Sequence, residues 1–175
     1  MFPKEVIRFF IYGLLLYLGW EVVYQGFLSV HTSFNFTVID WQVRISWYVL
    51  DFFGYTVYAA SGIRENFLDI LWIEGSTQSL EVMKNCNAVE LIVIFSIFLL
   101  AFPSKWKDKW WIIPGSIVLF LLNIVRIIVL VIIEYKAPEY MDFNHKYTFT
   151  ALMYLVIFGF WFLWLKKTSG ETAPA

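Results

Sequence analysis

Apolar residues collect into four long runs along this chain, at residues 7–28, 88–103, 110–133 and 147–165. Each is long enough to cross, as a helix, a hydrocarbon layer of about 30 Å. The first run follows Lys4, contains Arg8 and Glu21, and exceeds the ~7 to 15 residues of a signal-peptide core. It shows no small-x-small cleavage site, so it predicts a retained anchor. Between the first and second runs the pattern changes. Trp41, Ile45, Tyr48 and Phe52 recur at helical spacing, with Gln42, Arg44, Ser46 and Asp51 between them. That spacing predicts an amphipathic helix lying on the outer membrane face, and leaves open a fifth, poorer span over residues 41–59. YTVYA, ILWI and LEVM are short β-prone pieces separated by SG and EGSTQS, which predicts a small hairpin-like lid. The last residues, TSGETAPA at 168–175, read as a disordered tail. No internal repeat is present.

Composition agrees with the pattern. The 175 residues are 60% hydrophobic and 21% aromatic, and the mean hydropathy is +0.67. A soluble domain of this length needs more polar surface than that, so the expected fold class is an all-α membrane protein. It is a bundle of about four transmembrane helices with an extracytoplasmic amphipathic helix and a small β-hairpin-like segment. Length allows one compact membrane domain over residues 1–167. The formal net charge of −1 excludes the basic excess of a nucleic-acid binder. A single cysteine, Cys86, excludes an internal disulfide and a multi-cysteine zinc site. His31 and His145 are too few for a metal site without carboxylates, and the reading calls for no metal and no cofactor.

The basic residues set the orientation. Lys4 and Arg8, then Lys105, Lys107 and Lys109 in SKWKDKW, then Lys166 and Lys167 fall on one side of four crossings. By the positive-inside rule that side is the cytoplasm, with both termini. The expected location is therefore a bacterial cytoplasmic (inner) membrane, with residues 29–87 outside and 168–175 inside.

The candidate chemistry lies in polar residues that lipid does not tolerate. A charge at the centre of a spanning helix costs about 2.5 to 3.5 kcal/mol on insertion scales, so such residues mark function by default. Arg126 in LFLLNIVRIIVLVII is the clearest, with Asn123 three residues earlier on the same face. At a rise of ~1.5 Å per residue, Arg126 stands about 24 Å above the cytoplasmic end of its run, and Cys86 about 26 Å above its own. His145 stands about 30 Å up and Glu21 roughly 20 Å. A thiol, a guanidinium, an imidazole and a carboxylate thus share one level near the outer surface. A helix N-terminus or a nearby cation favours the reactive thiolate. An imidazole in reach can take the thiol proton and return it to a leaving amine. Arg126 is suited to the oxyanion of an attacked carbonyl. A second reading stays open on these residues, in which Arg126 pairs with Glu21 or Glu90 to hold the bundle together and Cys86 only packs.

NCNAVELIVIFSIFLLAFP, NIVRIIVL and PEYMDFNHKY together resemble the three blocks of the exosortase and archaeosortase family, nearest the compact exosortase F-type forms. These are integral membrane cysteine transpeptidases. The resemblance covers residues 69–165. It implies Cys86 as nucleophile, Arg126 as transition-state stabiliser and His145 as acid/base, with Asn123 matching the motif asparagine. Many members read Cys-Ser-Gly where this chain reads Cys86-Asn87-Ala88. The departure bears on the local turn there and on any oxyanion role for its N–H. Glu90, Glu21, Glu134 and Asp142 are supporting candidates; Asp142 either orients His145 or is a solvated loop charge. The implied partners are the lipid bilayer and membrane-anchored proteins carrying a C-terminal motif, a spanning helix and a basic tail. A lipid or glycan is the implied acceptor. The alternative from another class is a non-catalytic scaffold or transport component.

Overall fold

The computed structural model of the chain describes residues 3–28, 33–64, 67–76, 78–83 and 86–170. His31 and residues 171–175 of the expected tail lie outside them. The elements are α1 (Lys4–Val23), α2 (Phe34–Phe52), β1 (Val57–Arg64), β2 (Phe67–Ile73), β3 (Leu80–Met83), α3 (Val89–Ala101), α4 (Ile112–Lys136) and α5 (Phe149–Gly170). Their residues gather in two compact units. Three helical runs, Lys4–Leu28, Trp106–Lys136 and Pro138–Thr168, are long and apolar enough to cross a membrane. The remaining expected span is shorter than its sequence suggests. α3 has 13 residues, about 20 Å of helix. It starts at Val89 because the backbone at Ala88 is left-handed, with φ 61°, and it ends just before Pro103. The fold remains an all-α membrane protein with a small sheet.

One unit comprises Met1–Thr32, Val89–Leu119 and Tyr154–Ala175. Aromatic rings fill it: Phe98 stacks on Trp161 with centroids 4.0 Å apart, and Phe102 meets the buried Trp164 edge-on. Gly115 lets α4 approach α3, because a Cβ there would run into the ring of buried Phe95. Close approach at small residues is how helices associate where lipid supplies no hydrophobic drive. The SKWKDKW loop forms a 3-10 helix, Trp106–Trp111. From it Lys109 Nζ donates to the carbonyls of Leu99, Leu100 and Phe102, orphan acceptors at the end of α3. α5 runs on through Gly170, so residues 168–170 of the expected disordered tail are helical.

The other unit comprises Ser33–Ala88 and Phe120–Met153. Its sheet has the order β1-β2-β3, all antiparallel. The three β-prone pieces are strands, and the SG pair expected to separate two of them lies inside β1, where the register shifts between Ser61 and Arg64. Strand β3 alternates as a half-buried strand must, with Leu80 and Val82 inward and Glu81 and Met83 outward. α2 ends at Gly54, whose φ of 84° suits the left-handed position after a helix. Ile39, Val43 and Leu50 of α2 pack with Val57, Leu71, Ile73, Leu80 and Val82 of the sheet and with Ile127, Leu130 and Val131 of α4. Burying each such side chain is worth about 1.5 to 3 kcal/mol, so this core fixes α2 and the end of β3 against α4. The Trp47 indole N–H adds a hydrogen bond to the Val57 carbonyl at 2.8 Å.

The amphipathic helix expected at residues 41–53 is longer, and its polar residues divide: Arg44 and Asp51 are exposed, while two others are not. Trp41, Tyr48 and Phe52 are exposed, whereas Gln42 and Ser46 are fully buried. The aromatic stripe keeps the outward position expected of an interfacial helix. Gln42 and Ser46 turn into the protein.

Candidate active site

All of the residues with the strongest chemistry lie in the second unit. Cys86 follows β3 and precedes Ala88. It is half-buried, unpaired and packed against the core of that unit. The thiol faces the imidazole of His145, with Sγ 3.9 Å from Nε2. His145 stands on a π-helical turn, Asn144–Thr148, which leads directly into α5. π-turns inside helices recur at functional sites, because they re-aim one side chain without ending the helix. The turn is supported at its start, where the Asn144 amide donates to the Tyr140 carbonyl at 2.9 Å. A thiol that donates to Nε2 requires the proton of a neutral imidazole to sit on Nδ1.

Arg126 stands three residues after Asn123 on α4, half-buried. Among the described residues it makes no ion pair and no hydrogen bond. Its charge acts on the His145 ring, as do those of Asp142 and Lys146. A guanidinium with unused donors is free to meet an incoming anion. Glu21 and Glu90, the partners named for the structural alternative, belong to the other unit. There Glu21 is joined by the Tyr17 hydroxyl. Asp142 is 89% exposed and pairs with Lys146 at 3.5 Å, which makes it a surface charge. Glu134 is buried on α4, and one of its carboxylate oxygens has no partner among the described residues. No group of three or more His, Cys, Asp or Glu side chains gathers among the described residues, so no metal-binding set is assigned.

Asn123 does more than match a motif. Its fully buried amide nitrogen donates to the Cys86 carbonyl at 2.8 Å and to Gln42 Oε1 at 3.1 Å. Gln42 Nε2 in turn donates to the Asn87 carbonyl at 3.1 Å. The Asn87 side chain then donates to Asn35 Oδ1 at 2.9 Å. A chain of four buried amides therefore grips the Cys86–Asn87 turn. Gln42, Asn35 and Asn87 are absent from the sequence-based candidates. A signal for them did exist: Ile39, Val43, Ser46 and Leu50 repeat at helical spacing and mark an inward face of α2 opposite its aromatic stripe.

The same turn resolves the missing glycine. Ala88 takes the left-handed φ of 61° that glycine adopts freely. The left-handed region costs a residue with a Cβ about 1 to 2 kcal/mol, and the hydrogen bonds on the two preceding residues hold the turn. Gly in place of Ala relieves that strain but adds entropy to the unfolded chain. Ala88→Gly is therefore expected to raise stability by about 0.5 to 1 kcal/mol, and Ala88→Val to lower it by more. Thermal unfolding of the purified protein in detergent checks both signs.

A family model described as transmembrane exosortase (Exosortase_EpsH) matches residues 5–165. No curated protein and no solved structure gives a match. The matched stretch spans nearly the whole chain and holds both members of the thiol–imidazole pair. Taken together with its multi-pass membrane architecture, this places the chain in the transmembrane exosortase family.

Proposed function

We propose that this protein is a membrane-embedded cysteine transpeptidase acting on C-terminal sorting signals of exported proteins. The observation that carries the reading is the Cys86–His145 pair, 3.9 Å apart across 59 residues of sequence. Such a pair activates a thiol, because the imidazole accepts its proton and stores it for the leaving group. The Cys86 thiolate attacks the carbonyl carbon of the scissile peptide bond, and negative charge collects on the carbonyl oxygen beside Arg126. The C–N bond then breaks, His145 protonates the departing amine, and the upstream chain remains on Cys86 as a thioester. An amine or hydroxyl acceptor takes the acyl group and restores the thiol.

The expected level of this chemistry near the outer face supports the substrate class. A nucleophile near the outer end of the spanning helices meets a peptide bond just outside the bilayer. A protein held there by its own C-terminal helix and basic cytoplasmic tail presents such a bond. The orientation this needs, with both termini cytoplasmic in the inner membrane, is the one the lysine and arginine distribution supports. The scaffold reading is less well supported, since Arg126 makes no ion pair among the described residues.

The test is reconstitution of the full chain in liposomes with a membrane-anchored substrate bearing such a C-terminal signal. The expected result is release of the upstream fragment, and its loss after alkylation of the single cysteine with N-ethylmaleimide. Cleavage that survives complete alkylation contradicts the reading.

A further inference from the structure

The amide chain has a consequence for catalysis, which rests on the transpeptidase reading. Two successive carbonyls after the nucleophile point into the protein: Cys86 O toward Asn123 Nδ2, and Asn87 O toward Gln42 Nε2. A trans peptide is planar, and its N–H points opposite to its C=O. No peptide bond among the described residues is cis. The N–H of Ala88 shares its plane with the Asn87 carbonyl, so it is turned away from Gln42. Ala88 is 6% exposed, and its N–H donates to no described group. A buried backbone donor without a partner is uncommon and costly. Here it occurs two residues after Cys86, on a left-handed residue whose two preceding carbonyls are both held. Backbone donors fixed in this way stabilise developing oxyanions, since they need no reorganisation when charge appears.

We propose that Gln42 is a positioning residue for acyl transfer: by holding the Asn87 carbonyl inward, it aims the Ala88 N–H at the oxyanion of the attacked substrate carbonyl. Asn123 holds the preceding carbonyl and accommodates Gln42, so the two amides act as one clamp. Arg126 and the Ala88 N–H then share the charge, one as a cation and one as a fixed dipole. The turn keeps its left-handed shape without a glycine because the clamp imposes that shape.

The test uses the full chain with its substrate and compares Gln42→Met, which keeps the volume but loses the amide, with Gln42→Asn, which keeps an amide one methylene too short. Four quantities are read: kcat and KM for processing, inhibition by a peptide aldehyde ending at the cleavage site, and the rate of Cys86 alkylation by iodoacetamide. An aldehyde adds to the thiol as a tetrahedral oxyanion mimic, whereas alkylation forms no oxyanion. The expected result is a kcat about 10- to 100-fold lower with KM within about twofold. Aldehyde affinity falls by a similar factor, and alkylation changes by less than about twofold. A kcat within twofold of the parent overturns the proposal, and so does an equal loss of alkylation rate, which would assign Gln42 to the placement of the thiol alone. Failure of both variants to accumulate also overturns it, by making Gln42 part of the scaffold. If Cys86→Ala still processes the substrate, the transpeptidase reading itself falls. An inert Cys86→Ala beside a fully active Gln42→Met removes only the present proposal.

Discussion

Cys86→Ala leaves a membrane-anchored substrate uncleaved while the protein itself accumulates and keeps its fold. The expected loss of processing is about 10⁴-fold or more, because the residues of a nucleophile–base unit fail together when one is removed. The structure explains why the fold survives. The amide chain grips the backbone of residue 86, since Asn123 donates to its carbonyl and not to its sulfur. Removing Sγ leaves that bond in place and takes one atom from a half-buried position. Cys86→Ser nearly keeps the size but replaces the thiol by a hydroxyl far harder to ionise, so it is expected to be nearly as inactive. The measurement is the ratio of cleaved to intact substrate at matched enzyme level. Full processing by Cys86→Ala contradicts the assignment.

Arg126→Met carries the second largest expected effect, a fall in kcat of about 10²- to 10³-fold, with accumulation close to that of the parent. The transition-state and structural readings of Arg126 part here. A buried ion-pair member leaves an uncompensated partner when it is removed, at a cost of about 3 to 5 kcal/mol. Arg126 has no such partner among the described residues, so its removal takes a charge out of the helix and strands none. A methionine of similar length even lightens the cost of keeping α4 in lipid. Arg126→Lys keeps the charge without the planar fork and is expected to recover only part of the activity. Protein level by immunoblot and single-turnover cleavage separate the two readings. Loss of the protein together with its activity would favour the structural one.

Much of this was legible in the sequence, and what was not has physical reasons. The long apolar runs announce helices because lipid admits almost nothing else, and three of them appear as spans. The run at 88–103 overstates its helix, because hydropathy is blind to the backbone: the left-handed Ala88 starts α3 late. Cys86 and His145 were legible as two residues at one depth, since helix rise converts residue number into height. The clamp was not legible. Its hydrogen bonds join residues 45, 52 and 81 apart, and periodicity reports only neighbours on one element. Gln42 and Ser46 alternate with the aromatic stripe of α2 and therefore look solvated. They are buried because each finds a partner inside: Gln42 donates to the Asn87 carbonyl, and the Ser46 hydroxyl donates back to the Gln42 carbonyl. Asn87 and Ala88, conspicuous as departures from Ser-Gly, turn out to be held by that same clamp.

The most direct test of the central claim is to look for the acyl-enzyme. The full chain in liposomes is mixed with a substrate and no added acceptor, quenched in acid, digested and examined by mass spectrometry. The account predicts the upstream end of the substrate joined to Cys86 as a thioester, discharged by hydroxylamine and absent from Cys86→Ala. Cleavage of the substrate with Cys86 unmodified at every time point would contradict it.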